Sequence, residues 1–277
     1  MNGESRIFVD GHVHMHPQFN TGQALDSAAR NLALVAQRFS CADSIGVLLL
    51  AEMHGHDWFG STRGRVLNGS AGVGTWTISL SGEPETLVAR SAVQQRKLLI
   101  IAGRQIVTAE RIEVLALLTP GEFADGLSLD ETLAAAHSAG AVVVLPWGVG
   151  KWLGRRGELV RRALLRHTPA RPVLAGDNGG RPWCWPRPRI FTTAELSGVP
   201  LLPGTDPLPL PKQETRIGSF GLAFAGRLPL ESPAAALRTW LVEPSSRAPA
   251  RLFGKPERVS RFLRNQIWLR IRPEVAQ

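Results

Sequence analysis

The chain of 277 residues is 44% hydrophobic and 20% charged, enough apolar content for a packed α/β domain and too much for a disordered chain or a coiled coil. Its two cysteines, Cys41 and Cys184, rule out a disulfide framework and a thiolate zinc site, and no apolar run approaches the ~20 residues of a spanning helix. The net charge is +9, and it gathers toward the C-terminal end.

Arg6–Asp10 reads as a strand, preceded by a polar opening without a signal-peptide core, so a cytoplasmic location is expected. Leu25, Ala28, Leu32, Val35 and Phe39 recur at three- and four-residue steps and predict an amphipathic helix over Thr21–Phe39. Ile45–Ala51 is a short apolar run of the kind buried on both faces of a sheet. Gly60–Gly74, rich in glycine and serine, is expected to be an exposed loop. Strands follow at Thr75–Leu80, Leu98–Ala102 and Ile112–Leu118. Ser128 and Glu131 form a capping box, and Gly140 stops the helix it opens. Ala141–Leu145, Pro172–Ala175 and Val199–Leu202 read as further strands, with a basic helix at Arg156–His167 between the first two. Strand–helix alternation favours a parallel sheet whose reactive groups stand at the carboxyl ends of the strands.

Five of the seven histidines lie just past predicted strands. In Asp10-Gly-His12-Val-His14-Met-His16 every second residue is a potential ligand, and alternation along an extended chain puts Asp10, His12 and His14 on one face. Glu52-Met-His54-Gly-His56-Asp57 repeats the pattern after the second apolar strand. Neutral imidazole suits zinc or iron, and carboxylates add manganese, so a divalent metal is the expected cofactor. Trp147 and Trp152, with Lys151 and Arg155, follow the Ala141–Leu145 strand and suit an anionic small-molecule substrate. Arg181, Trp183 and Trp185 are placed to cover the same mouth.

Val9-Asp-Gly-His-Val-His14 resembles the opening DxHxH motif of the PHP family (polymerase and histidinol phosphatase domain), and Leu202-Pro-Gly-Thr-Asp206-Pro-Leu208 resembles its closing Gly-Ser-Asp-x-His. The resemblance implies a distorted seven-stranded β/α, TIM-like barrel over 1–245 and a metal-dependent phosphoesterase. It adds Asp206 as a ligand or water-orienting residue beside His12 and His14, with His54 or His56 completing the set. Gln105, Leu145 and Leu208 stand where the family has a bridging glutamate and two histidines. Fewer ions than the family's two or three are therefore expected, and a catalytically silent binding module is the alternative.

Residues 246–277 carry eight basic residues, counting Arg247 and Arg272, against Glu257 and Glu274, a net of six of the chain's nine positive charges. Val259, Phe262, Leu263 and Ile267 fall at helical spacing, so a basic helix docked on the domain is expected. No DNA- or RNA-binding motif accompanies it, and nucleic acid is not the expected partner.

Overall fold

In the first strand, Ile7 and Val9 point to one side and Phe8 to the other, and all three are buried. A strand covered on both faces needs a layer on each, and the rest of the chain supplies them. The computed structural model describes residues 5–41, 43–93, 95–243 and 249–271. Its elements are β1 (Ser5–Val13), α1 (Thr21–Arg38), β2 (Ser44–Leu50), α2 (Trp58–Leu67), β3 (Gly72–Val73), β4 (Trp76–Leu80), β5 (Thr86–Ser91) and β6 (Arg96–Ile101). Then come β7 (Gly103–Val107), β8 (Glu113–Leu117), α3 (Leu129–Ser138), β9 (Val142–Pro146), α4 (Gly154–Leu165), β10 (Val173–Gly176) and α5 (Arg189–Leu196). The chain closes with β11 (Gly221–Gly226), α6 (Pro233–Val242), β12 (Arg251–Phe253) and α7 (Val259–Ile271).

Among the described residues the strands form an eight-stranded sheet, β12-β11-β1-β2-β6-β5-β4-β3, and a four-stranded sheet, β10-β9-β8-β7. Neither closes on itself, so the TIM-like β/α barrel expected from the resemblance is not the architecture. Short connections explain the difference. A parallel pair needs a long crossover, whereas β3 to β6 and β7 to β8 are joined by short turns and pair antiparallel. Among the described strands, parallel ladders join β1–β2, β2–β6 and β9–β10.

The inner faces of the two sheets share one core. Ile7, Val9, Val47, Leu49, Leu99 and Ile101 of the larger sheet meet Leu115, Leu117, Val142, Val144 and Leu174 of the smaller, with Leu237 and Leu241 of α6 alongside. On the outer face of the larger sheet α1 packs Leu25, Ala28, Leu32 and Val35 against Phe8, Leu48 and Ile100. Each large aliphatic side chain buried there contributes roughly 1.5–3 kcal/mol. Asn20 caps α1 by accepting from the Gln23 N–H. Helices α3, α4 and α5 cover the smaller sheet through Leu133, Val160 and Phe191.

Between the sheets the backbone contact is made by short, irregular segments. Glu52 bridges Arg104 on one side, and Ala175 and Asn178 bridge Leu201 and Gly204 on the other. The segment Val199–Leu202, expected as a strand, makes only such isolated bridges, since Pro200 and Pro203 have no N–H to donate. Beyond it, Gly11 N donates to Pro203 O at 3.0 Å and Asp206 N to His12 O at 2.8 Å. Two glycines make this approach possible. A Cβ on Gly103 would lie 2.4 Å from Leu50 O, and one on Gly204 would lie 2.2 Å from His12 N.

The stretch Gly60–Gly74 is not the exposed loop that its composition predicts. Most of its first half is α2, because Asp57 caps the Gly60 N–H at 3.1 Å and the Glu52 carboxylate accepts from the N–H of Phe59 at 3.1 Å. No helix among the described residues is long and apolar enough to cross a membrane.

Candidate metal centre and anion pocket

The extended chain leaving β1 keeps its alternation, and His12, His14 and His16 are all buried. His12 Nε2 lies 2.9 Å from His14 Nε2 and 3.2 Å from Gln105 Oε1 on β7. Asp206 enters from the opposite sheet seam, with Oδ1 3.2 Å from His14 Nε2 and 3.7 Å from His12 Nε2. One ligand atom from each of His12, His14 and Asp206 falls within 4.8 Å of the others. Asp206 adopts φ 45°, a left-handed conformation that aspartate tolerates better than most residues. Its other oxygen accepts from Asn178 Nδ2.

The donor set fits a divalent ion. A tetrahedral ion with ligands at ~2.0–2.1 Å holds its ligand atoms ~3.3 Å apart. The three observed separations, 2.9, 3.2 and 3.7 Å, bracket that edge. Gln105 offers a fourth, neutral oxygen.

The electrostatics favour the same chemistry. Burial holds the His12 imidazole down to about 4, against the pull of Asp206, so the ring is neutral and keeps a lone pair. Burial and the neighbouring His14 push His16 down to about 3, and its Nε2 meets the Pro207 carbonyl oxygen at 2.9 Å. For Asp206 burial acts to raise the pKa, but His12, the contact with His14 and the charge of Lys151 outweigh it and hold the carboxyl well below the usual range.

Asp10, expected as a ligand, is turned away from the cluster. Its oxygens accept from Thr205 N at 2.8 Å, Thr205 Oγ1 at 2.6 Å and Gly218 N at 2.8 Å. It therefore acts as a positioning residue, fixing the segment that delivers Asp206. Complete burial raises its pKa to about 6, the four hydrogen bonds opposing.

The second histidine cluster is only partly drawn in. The His56 ring stands 6.3 Å from that of His16, edge to face, while His54 is exposed. Both line a neighbouring cavity of about 500 Å³ with Glu52, Arg104 and Gln105. Arg104 donates to His56 O at 2.6 Å and Asp57 Oδ1 at 3.1 Å. Burial raises Glu52 to about 7 despite its hydrogen bonds and Arg104.

Lys151 lies on the wall of a cavity of about 200 Å³ that includes Asp206, and its ammonium meets Glu113 Oε1. Arg155 is exposed and does not line this cavity. Trp147 lies on the cavity wall, and Trp185 packs against it edge to face at 6.3 Å. Arg181 is buried in an ion pair with Asp177 at 3.0 Å, and Trp183 is exposed. Leu145 faces the helical layer, so β9 brings no ligand to the cluster, whereas Leu208 lines the cavity.

Asn178 and Glu113 were not among the residues expected from sequence. Asn178 stands just past β10 in Gly-Asp-Asn-Gly-Gly, so the rule that selects strand ends applies to it as well. Glu113 begins an antiparallel strand, and for such a strand the relevant end is the amino end.

The C-terminal segment begins with β12, paired antiparallel to β11. Arg247, Arg272 and Glu274 lie outside the described residues. In α7 the inward stripe is Phe262, Asn265, Gln266 and Leu269, while Leu263 and Ile267 face outward.

No protein-family model matches the chain. No curated protein matches it in sequence. Its fold is similar to that of PsfC from Pseudomonas syringae PB-5123, known from a crystal structure, at a TM-score of 0.54 and 14% identity, over 99% of this chain and 100% of that one.

Proposed function

We propose that this chain is a metal-dependent hydrolase of small anionic molecules, with a phosphate monoester as the substrate class that suits its site. The observation that carries the reading is the convergence of His12, His14 and Asp206, two imidazoles and a carboxylate from opposite sides of the sheet seam. The resemblance of Asp10–His14 and Leu202–Leu208 to the PHP motifs supports it, as a divergent relative with a reduced ligand set.

Bound at these residues, zinc, manganese or iron would supply a Lewis acid that acidifies water and neutralises charge on a phosphoryl oxygen. The chain's own groups do the rest. Neutral His12 presents its lone pair and not a proton. Asn178 holds the Asp206 carboxylate in place. Lys151 supplies the cation that meets the substrate's anionic end, exchanging its contact with Glu113 for it. Trp147 and α7 narrow the mouth and limit water.

A second reading rests on Gln105. Within hydrogen-bond reach of His12 it brings a neutral amide where a carboxylate would add charge, so the site holds a ligand without turning it over. Elemental analysis of the purified protein and of a His12→Ala/His14→Ala variant tests both readings. Zinc, manganese or iron near one per chain, lost in the variant and accompanied by phosphatase activity, supports the hydrolase. Metal without turnover on a panel of phosphate esters favours the binding protein. No metal in the wild type after incubation with those ions overturns the metal site.

A further inference from the structure

Helix α7 contributes a wall to the anion pocket, and one of its residues has no structural reason to be polar. Phe262, Asn265, Gln266 and Leu269, at steps of three and four, line the cavity of about 200 Å³ opposite Lys151 and Asp206. Asn265 is 5% exposed and is the buried residue of the helix. Among the described residues no hydrogen bond joins its carboxamide to another side chain or to the backbone, and its polar atoms are not sealed in the protein interior but open onto the cavity. An amide opening onto a cavity offers two donors and an acceptor to whatever occupies it. An apolar side chain would line a purely structural cavity better. The position of the helix is itself well determined, because buried Glu257 just before it pairs with Arg216 at 3.3 Å and Arg261 at 3.6 Å.

We infer that Asn265, assisted by Gln266, is the specificity-determining residue of the pocket and hydrogen-bonds a hydroxyl on the body of the ligand, while Lys151 holds its anionic end. A cavity of about 200 Å³ suits a short hydroxylated chain bearing one anionic group. This inference rests on the anion-pocket reading proposed above. The two neutral amides are suited to discriminate hydroxyl from hydrogen and add nothing to charge recognition.

The test compares propylphosphonate with 3-hydroxypropylphosphonate, which differ by one hydroxyl and whose C–P bond resists hydrolysis. Calorimetry on the full-length, metal-incubated protein should show the hydroxylated ligand bound about tenfold more tightly. Asn265→Leu should remove that preference and melt at or above the wild-type temperature. Asn265→Ala, which deletes the amide without filling the space, should remove it as well. If the wild type binds both phosphonates equally, or if both variants keep the preference, the role assigned to α7 is overturned while the anion pocket stands. If both variants melt well below the wild type, the amide is structural and the inference is again overturned. A wild type that binds neither phosphonate overturns the anion pocket and this inference with it.

Discussion

Replacing Asp10 separates its role as a fastener from any role as a ligand. The carboxylate is fully buried and accepts from Thr205 N, Thr205 Oγ1 and Gly218 N within 2.8 Å, and from His12 N at 3.4 Å. In Asp10→Asn one oxygen becomes an amide nitrogen, and the arrangement sets it against the Gly218 N–H, donor to donor. The Thr205 hydroxyl can rotate to accept, so a single buried donor loses its partner, costing ~1–3 kcal/mol. Against this, the variant no longer carries the penalty of ionising a carboxyl raised from 3.8 to about 6, which at pH 7 amounts to about 3 kcal/mol. Asp10→Asn should therefore lie within about 1 kcal/mol of wild type at neutral pH. Asp10→Ala sheds the same penalty but orphans the N–H groups of Thr205 and Gly218 together and leaves a cavity, so it should lie about 1–3 kcal/mol below the asparagine variant. Urea unfolding at pH 7 measures both. Metal content should survive in the asparagine variant and fall in the alanine variant, because Asp206 follows Thr205 directly. An alanine variant as stable as the asparagine variant would refute the reasoning.

Glu52 makes a pH prediction whose sign follows from its raised pKa. The folded state binds its proton more tightly than the unfolded chain does, from 4.5 up to about 7, so wild-type stability should fall as pH rises through that window, by up to about 3 kcal/mol. Glu52→Gln keeps an acceptor for the α2 N–H groups, and its thermal midpoints between pH 4.5 and 8 should show a shallower decline; an identical slope would remove Glu52 as the cause. Gln105→Glu places a negative charge within reach of His12 Nε2, and divalent-metal affinity measured by competition with a chelator should rise about tenfold or more. Unchanged affinity would mean that Gln105 does not face the ion.

The apolar run Ile45–Ala51 and the alternating Asp10–His16 were legible because burial on both faces and a period of two leave direct marks in sequence. That His12, His14 and Asp206 converge was legible only through the order of motifs in the resemblance, since spacing cannot show that residues so far apart in the chain meet. What periodicity does not encode is which strand lies beside which. The antiparallel β4–β5–β6 arrangement depends on short turns, and a local pattern of apolar residues is the same in a parallel sheet. Helix α2 was hidden because its first turn is capped by Glu52 and Asp57, groups outside a glycine- and serine-rich stretch. Asp10 looked like a ligand because alternation sets the face of a side chain and not its partner. Asn265 is not legible in the sequence, because an asparagine on a basic helix reads as solvent-facing.

The irregular seam between the two sheets has a consequence for how the molecule would report on its own occupancy. His12 belongs to the larger sheet with His14 just past its strand, Gln105 to the smaller, and Asp206 to the segment threaded between them through Gly204. Whatever binds these residues spans a joint made by short irregular segments and not by a continuous strand ladder, so binding energy is shared with the joint's resistance to opening. The amides of Gly11, Gly204 and Asp206 are then natural gauges of saturation. Their hydrogen exchange should slow with added ion or anion even where the global melting temperature hardly moves, and a screen reading those amides would detect weak ligands that activity assays pass over.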